Sequence, residues 1–301
     1  MIVVAGEINA DLVLGGLAET PRPGREVLAE RSDLVLGSAS AICASGLARL
    51  GNGVRFLGRA GDDLLGRFCV EEMTRAGIDT SRVELAPGET TGITVSLSSG
   101  GDRALVTFPG ATASFATDDV SDDALDGASH FHVSSFFLQR SLRSGLGPLF
   151  ARARRLGLTT SLDPGHDPAG EWGADLRDVL GEVDLFLPNQ EELEAIAGTE
   201  DLEEALGAFP GTLVAVKLGA AGAASLRDES LFAVSAPHLD VVDTTGAGDS
   251  FDAGFLHAWL REEPLETCLR YGVAAGSLST RALGGTRAQP DLAELEAFLQ
   301  S

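Results

Sequence analysis

The sequence predicts an α/β protein, in which a mostly parallel central sheet carries helices on both faces and a small β-sheet lid, in one domain over residues 1–301. Two observations predict it. Short apolar runs alternate with helix-period segments along most of the chain, as strands joined by crossover helices do. Two stretches, 10–36 and 92–108, instead alternate apolar and polar residues, as half-exposed strands do. They define a lid made of two insertions, at about 10–36 and 88–110.

The elements follow in order. "IVVAG" (2–6) reads as a strand, and "SAICASGLARLG" (40–51) as a helix stopped by Gly51. "VRFLG" (54–58) is a strand, "DLLGRFCVEEMTRAG" (63–77) a helix. "SSGGD" (98–102) reads as the hairpin turn of the second lid insertion. "HFHVSS" (130–135) is a strand, with a helix near 141–156. His130 and His132 alternate on it, so only one is expected on the buried side, as core packing. "LTTSLD" (158–163), "VDLFLPN" (183–189) and "LVAVKLG" (213–219) are strands; "EELEAIAG" (191–198) is a helix. "APHLDVVD" (236–243) is β-like, and helices are expected over 249–262, 265–281 and 291–300. In such sheets ligands bind beyond the carboxyl ends of the strands, so the loops there should carry the site. His166 follows one such end and is a candidate substrate contact; Trp172 reads as packing.

Composition narrows the class. With 44% hydrophobic residues a substantial core is available, and the net charge of −23 leaves no basic stripe for nucleic acid or an anionic membrane surface. Cys43, Cys69 and Cys268 form no CxxC pair and read as buried thiols in a reducing compartment. Met1 runs straight into "IVVAGEI" without a basic leader, and no apolar stretch reaches the roughly 18 residues that span a bilayer. A soluble, cytoplasmic protein is expected.

The chemistry concentrates in "VVDTTGAGDSFDAGF" (241–255). Gly246, Ala247 and Gly248 leave backbone N–H groups uncovered at a helix start, where unpaired donors and a partial positive charge make an anion site. A carboxylate does not bind anions, so Asp249 calls for another role. Phosphoryl transfer needs both parts: a cradle for the developing charge and a group that orients and deprotonates the acceptor hydroxyl. A helix N-cap would also select Asp and Gly, and the residues alone leave both readings open. The G-K-S/T of a P-loop, GxGxxG, HExxH and GxSxG are absent.

The same stretch resembles the C-terminal signature of the carbohydrate kinases that include ribokinase and fructokinase. Further motifs occur in that family's order: "GEINADLV" (6–13), "PRPG" followed by Glu26, "LARLGNGVRFLGRAGDDLLGRF" (47–68), "PNQEE" (188–192) and "VKLGAAG" (216–222). The resemblance covers essentially the whole chain. It implies a ribokinase-like three-layer α/β/α fold and an ATP-dependent sugar kinase, with Asp249 as base and the backbone of 246–249 as anion hole. By the same resemblance Asn9 and Asp11 bind sugar hydroxyls, joined by Gly37 and Ser38; Arg103, by its place on the lid hairpin, is a candidate substrate contact and reads also as a solvated charge on a half-exposed strand. Asn189, Lys217, Gly219 and Gly222 contact the nucleotide. Glu192 holds magnesium through water, while Asp243 and Thr245 ligate a monovalent cation, potassium. "GSLSTRALGGTRAQP" (276–290) closes over adenine, and the lid pairs two copies into a homodimer.

Departures bear on the substrate. Where the family reads G-G-x-x-A-N, this chain reads "GSASAI" (37–42): Ser38 replaces a glycine, and Ile42 the sugar-binding asparagine. "DPGHDPAGEW" (163–172) puts Asp167 where the D-x-N-x-R arginine of fructokinase and ketodeoxygluconate kinase relatives would stand, which argues against their substrates and against sugar phosphates. The rival readings are a nucleoside kinase of the same fold and a sugar- or nucleotide-sensing relative without turnover. Phe108 is nearly the only aromatic residue in the lid strands, against a base-stacking site, and the intact Asp249 loop speaks against a sensor.

Overall fold

In the computed structural model, which describes residues 1–99 and 102–300, the chain builds two sheets. The strands are β1 (Ile2–Ala5), β2 (Asn9–Gly15), β3 (Arg31–Leu36), β4 (Val54–Gly61), β5 (Asp79–Ala86), β6 (Gly92–Ser99), β7 (Asp102–Phe108), β8 (His130–Val133), β9 (Thr159–Leu162), β10 (Leu185–Phe186), β11 (Leu213–Lys217), β12 (Ala223–Arg227) and β13 (Ser230–Val234). The large sheet runs β13-β12-β11-β10-β9-β8-β1-β4-β5. It is parallel from β5 to β11 and antiparallel across β11-β12-β13. The small sheet, β3-β2-β6-β7, is built from the two stretches expected to form a lid.

β1 shows why the large sheet forms. Val3 and Ala5 join a core that includes Phe131 and Phe150 on one face, while Ile2 and Val4 join Phe56 and Phe255 on the other. All four residues are buried, as strands covered on both faces are. The lid starts where β1 ends: after Gly6 the chain turns into β2, which pairs antiparallel with β3 and parallel with β6. Outside the lid's contact face β7 is open, with Leu105, Val106 and Phe108 exposed. The hairpin turn expected at "SSGGD" includes Gly100 and Gly101, which lie outside the described residues.

Several elements differ from expectation. "APHLDVVD" is not a strand; the N–H groups of Val242 and Asp243 both bond Thr280 O, at 2.8 and 3.1 Å, so this segment is held by a helix end rather than a neighbouring strand. The helix near 141–156 splits into Arg140–Arg143 and Leu146–Arg155, with Gly145 between. β10 keeps two residues of 183–189, because Pro188 has no N–H for the ladder and Asn189 already caps the next helix. β5 and the β12-β13 hairpin were not among the expected elements; their exposed polar positions mask the strand pattern.

His130 and His132 are both buried, against the expectation of one. Residues two apart on a strand point to the same face. Both reach Ser161 of β9: His130 Nε2 lies 2.7 Å and His132 Nδ1 2.7 Å from its Oγ. Thr159 and Ser134 engage the outer nitrogens at 2.8 Å each. Trp172 is packing, edge-on to Phe137 at 5.5 Å between centroids. Cys43, Cys69 and Cys268 are buried free thiols. Among the described residues no helix is long and apolar enough to cross a membrane.

Candidate active site

The loop expected to form the anion hole runs into a helix. Gly246 caps the helix Ala247–Trp259 in the left-handed region, φ 72°, where a side chain would be strained. A Cβ there would also lie 2.6 Å from Gly285 Cα. Gly248 and Asp249 fall in the first helical turn, where N–H groups have no intrahelical acceptor. Ala247 N–H makes a 3.2 Å turn bond to Thr244 O and is the more engaged donor. Asp243 and Thr245, expected as ligands of a monovalent cation, bond each other at the start of the loop. Asp243 Oδ1 accepts Thr245 N at 2.9 Å and Thr245 Oγ1 at 2.8 Å.

The residues expected to bind sugar lie together at the small sheet. Asn9 Nδ2 donates to Asp11 Oδ1 at 2.8 Å and to Thr94 Oγ1 at 3.2 Å. Gly37 faces them: a Cβ there would lie 2.0 Å from Asp11 Oδ1 and 2.7 Å from Asn9 Nδ2. Ser38 adopts φ 73°, the conformation of the glycine it replaces. Its hydroxyl donates to Glu7 O at 2.5 Å and accepts Ala41 N at 3.1 Å, capping the helix Ala39–Arg49. The hydroxyl of Ser38 is therefore committed to the fold. Ile42 is buried under the anion loop; Cβ atoms built on Gly246 and Gly285 would lie 3.0 and 2.4 Å from its side chain. Arg103 belongs to β7, and its side chain lies outside the described residues.

On the nucleotide side, Asn189 and Glu192 form a reciprocal cap of the helix Gln190–Ala197. Asn189 Oδ1 accepts Glu192 N at 2.9 Å, and Glu192 Oε2 accepts Asn189 N at 2.8 Å. Burial, with the nearby Asp163 charge, pushes the Glu192 carboxyl up to about 7. Gly219 (φ 57°) and Gly222 (φ 105°) turn the chain from β11 into β12, and Gly222 admits no side chain because a Cβ would lie 1.9 Å from Val234 O. Lys217, expected at the nucleotide, is engaged by two carboxylates. Its Nζ donates to Asp163 Oδ2 at 2.7 Å and to Asp252 Oδ1 and Oδ2 at 3.1 and 3.2 Å. Three contacts occupy the three N–H groups of an ammonium.

Asp249 is partly buried beside this cluster. Burial is the main cause that pushes its carboxyl up to about 7; Asp163, Glu7 and Asp11 push the same way, and Lys217 opposes them. One oxygen each from Asp163, Asp249 and Asp252 lies within 4.8 Å of the others. Such a set could hold a cation, and Lys217 Nζ already stands between Asp163 and Asp252. The sequence reading missed Asp252 and Glu7 and gave Asp163 no role. Asp252 had a signal, since i and i+3 share a helix face with Asp249. Glu7 had none: its carboxylate binds Ser40 Oγ at 2.7 Å, from 33 residues away. His166 is exposed, edge-on to Trp172, and Asp167 holds its own loop by accepting the N–H groups of Ala169, Glu171 and Trp172 at 2.8–3.0 Å.

Comparison with known proteins shows the family of the chain. Residues 1–292 match the pfkB family carbohydrate kinase. The chain is 32% identical over 232 residues to an uncharacterised sugar kinase of Archaeoglobus fulgidus, covering 75% of this chain and 91% of that protein. It is 29% identical over 301 residues to an ATP-dependent ribose-1-phosphate kinase of Halopiger xanaduensis, covering 99% and 97%. Among solved structures, Arabidopsis thaliana ribokinase complexed with ribose and ATP superposes with a TM-score of 0.86 at 28% identity, over 100% of this chain and 98% of that one. A glycine-walled anion loop with an aspartate in its first helical turn, under a four-stranded lid, is thus embedded in a whole-chain match: the chain belongs to the pfkB family of carbohydrate kinases.

Proposed function

We propose that this carbohydrate kinase transfers the γ-phosphoryl group of ATP to a hydroxyl of a small sugar or sugar-like polyol, with Asp249 as the base. The observation that carries the proposal is the position of Asp249 in the first turn of Ala247–Trp259, beside the open N–H groups of Gly248 and electrostatically linked to Asp11 on the sugar side. Asn9, Asp11 and Gly37 position the hydroxyl. Its oxygen attacks the γ-phosphorus, the bond to the ADP oxygen breaks, and the proton passes to Asp249. The 246–249 backbone faces the charge on the transferring group. The lid excludes water, which limits ATP hydrolysis.

Magnesium fits at Glu192. Burial first, and Asp163 after it, push this carboxyl up to about 7, a cost of ionisation that a divalent cation would offset, and magnesium needs few protein ligands because it keeps waters. When bound it neutralises charge on the nucleotide phosphates. Asn189, Gly219 and Gly222 frame the nucleotide side. Potassium belongs to the proposal as an activator next to Asp243 and Thr245. The apolar edge of β7, with Leu105, Val106 and Phe108, supports pairing with a second copy through the lid.

The test is ADP release with Mg-ATP, with and without potassium, across ribose, ribose 1-phosphate, ketoses, sugar acids and nucleosides. Turnover on one sugar, lost by at least about a hundredfold in Asp249→Asn, is expected. Turnover on nucleosides alone would overturn the substrate class, and unchanged turnover in the variant would overturn the base.

A further inference from the structure

We infer that Gln289 is a positioning residue for phosphoryl transfer: its side-chain amide holds the first turns of the helices Ala39–Arg49 and Ala247–Trp259 in one register, and so sets the distance from the bound hydroxyl to the N–H cradle. The inference rests on the proposed placing of the sugar beside Asn9 and Asp11 and of the phosphoryl group at 246–249.

Both helices begin at the proposed site. Ser38 caps Ala39–Arg49 next to Gly37, which faces Asn9 and Asp11, and Gly246 caps Ala247–Trp259. Gln289 Nε2 donates to Ile42 O at 2.9 Å and to Ser250 Oγ at 3.0 Å. Each of these two residues is one bond away from its helix cap. Ile42 N donates to Ser38 O at 2.9 Å, and Ser250 N donates to Gly246 O at 2.9 Å. The two N–H groups of one amide therefore tie the two caps together through one residue on each side. A third contact completes the link, since a Cβ built on Gly246 would lie 3.0 Å from Ile42 Cγ2. Further along, the helices cross closely: a Cβ on Gly46 would lie 2.7 Å from Ala253 Cβ and 2.9 Å from Gln289 Nε2.

The amide is fixed in place and in orientation. Gln289 is 1% exposed. Pro290 restricts its backbone, and Asp291 caps the helix Leu292–Leu299 directly after. Turned over, the amide would set Oε1 against Ile42 O, acceptor against acceptor. As it stands, Oε1 has no hydrogen-bond partner among the described residues. An unpaired buried carbonyl destabilises, and an apolar side chain would avoid that loss. Folding alone gives little reason for a glutamine here, whereas two directed N–H groups do. In-line transfer supplies the need for them: a misplacement of about 1 Å between reacting groups lowers the rate on the order of a hundredfold.

Gln289→Met keeps the length of the side chain and removes both donors and the unpaired carbonyl. The experiment runs the full chain with Mg-ATP and whichever sugar of the panel above the wild type phosphorylates. A coupled assay counts ADP, and phosphorus NMR counts sugar phosphate. The variant should lower kcat by about tenfold or more and leave the KM for sugar and for ATP within about threefold. The ADP formed per sugar phosphate should rise, because water reaches a phosphoryl group that the sugar hydroxyl no longer meets in line. A residue that only supports folding would lower the melting midpoint and leave that ratio unchanged. Ser250→Ala removes one acceptor and should act in the same direction by less. Added to Gln289→Met it should lower kcat no further, because the bond is already gone. If Gln289→Met does not fold, Ser250→Ala decides by the same readings. A wild-type kcat and ratio, or a raised KM with kcat kept, overturns the inference. Asp249→Asn reports separately on the base: turnover lost there and unchanged in Gln289→Met leaves the base standing and removes the role of Gln289. A wild type that phosphorylates no sugar of the panel overturns the proposed function, and this inference with it.

Discussion

Asp243 Oδ2 accepts the backbone N–H of Gly284 at 2.9 Å, across 41 residues of chain. Its other oxygen is held by Thr245, so one carboxylate fastens the start of the anion loop to the segment that follows the helix Leu265–Ser279. Gly284 in turn abuts the lid: a Cβ there would lie 3.1 Å from Val35 Cγ2 on β3. Arg287 of the same segment pairs with Asp33 of β3 at 2.8 Å. The small sheet, the 280–287 segment and the loop at 243–249 therefore meet around Asp243 and Gly284, and the position of the proposed N–H cradle depends on that bond.

Asp243→Asn tests this dependence. An amide nitrogen facing the Gly284 N–H sets donor against donor, or else the loop rotates away. We expect kcat to fall ten- to a hundredfold, about the effect of losing or misplacing an oxyanion donor. The KM for the sugar should change less than about threefold, because Asn9, Asp11 and Gly37 are held by other bonds. Steady-state kinetics on the accepted sugar measures both. An unchanged kcat with a raised sugar KM would show that the loop serves binding instead.

The sequence already displayed the parts of the site whose chemistry is local. Asn9 and Asp11 share one strand, Gly246 to Asp249 one turn, and Asn189 and Glu192 one cap. The small sheet was legible for the same reason, since period-2 alternation survives in β2 and β6. What stayed hidden was assembled over distance. Lys217 meets Asp163 across 54 residues and Asp252 across 35, so nothing beside "VKLG" marks it as half of a buried charge pair. Ile42 occupies the place of a polar residue in the family pattern, and its reason for being apolar lies in Gly246 and Gly285, over two hundred residues on.

Ser38 offers a stability prediction with an unusual order. Its positive φ costs about 1–2 kcal/mol for a residue with a side chain, while its hydroxyl gives two hydrogen bonds, one to Glu7 O and one as helix cap. Ser38→Ala keeps the strain and loses both bonds, so it should lower stability by about 2 kcal/mol. Ser38→Gly loses the same bonds but relieves the backbone and remains an acceptable cap, so the net change should stay within about 1 kcal/mol. Urea denaturation of the two variants measures the order. Equal losses would mean that the backbone strain is absent in solution.

Asp249 should make the protein less stable in its active form. Its carboxyl is raised to about 7 by burial first and by Asp163, Glu7 and Asp11 after that. A group with a raised folded pKa contributes stability below its unfolded value, near 4, and loses it as pH rises through the folded value. At pH 8 the wild type therefore carries a buried charge that Asp249→Asn lacks. A shift of about three units corresponds to about 4 kcal/mol as an upper bound, and solvent at the open side of the site reduces it. The variant should melt several degrees above the wild type at pH 8, and the gap should narrow toward pH 5, where the folded comparison is between two neutral side chains, and close below about pH 4, where the unfolded aspartate is protonated too. Calorimetric melting at the two pH values measures this. Activity should change in the opposite sense, rising through about pH 7 in the wild type as the base becomes ionised. A variant no more stable at pH 8 than at pH 5, relative to the wild type, would place the carboxylate in a solvated setting and remove the physical reason for its raised value.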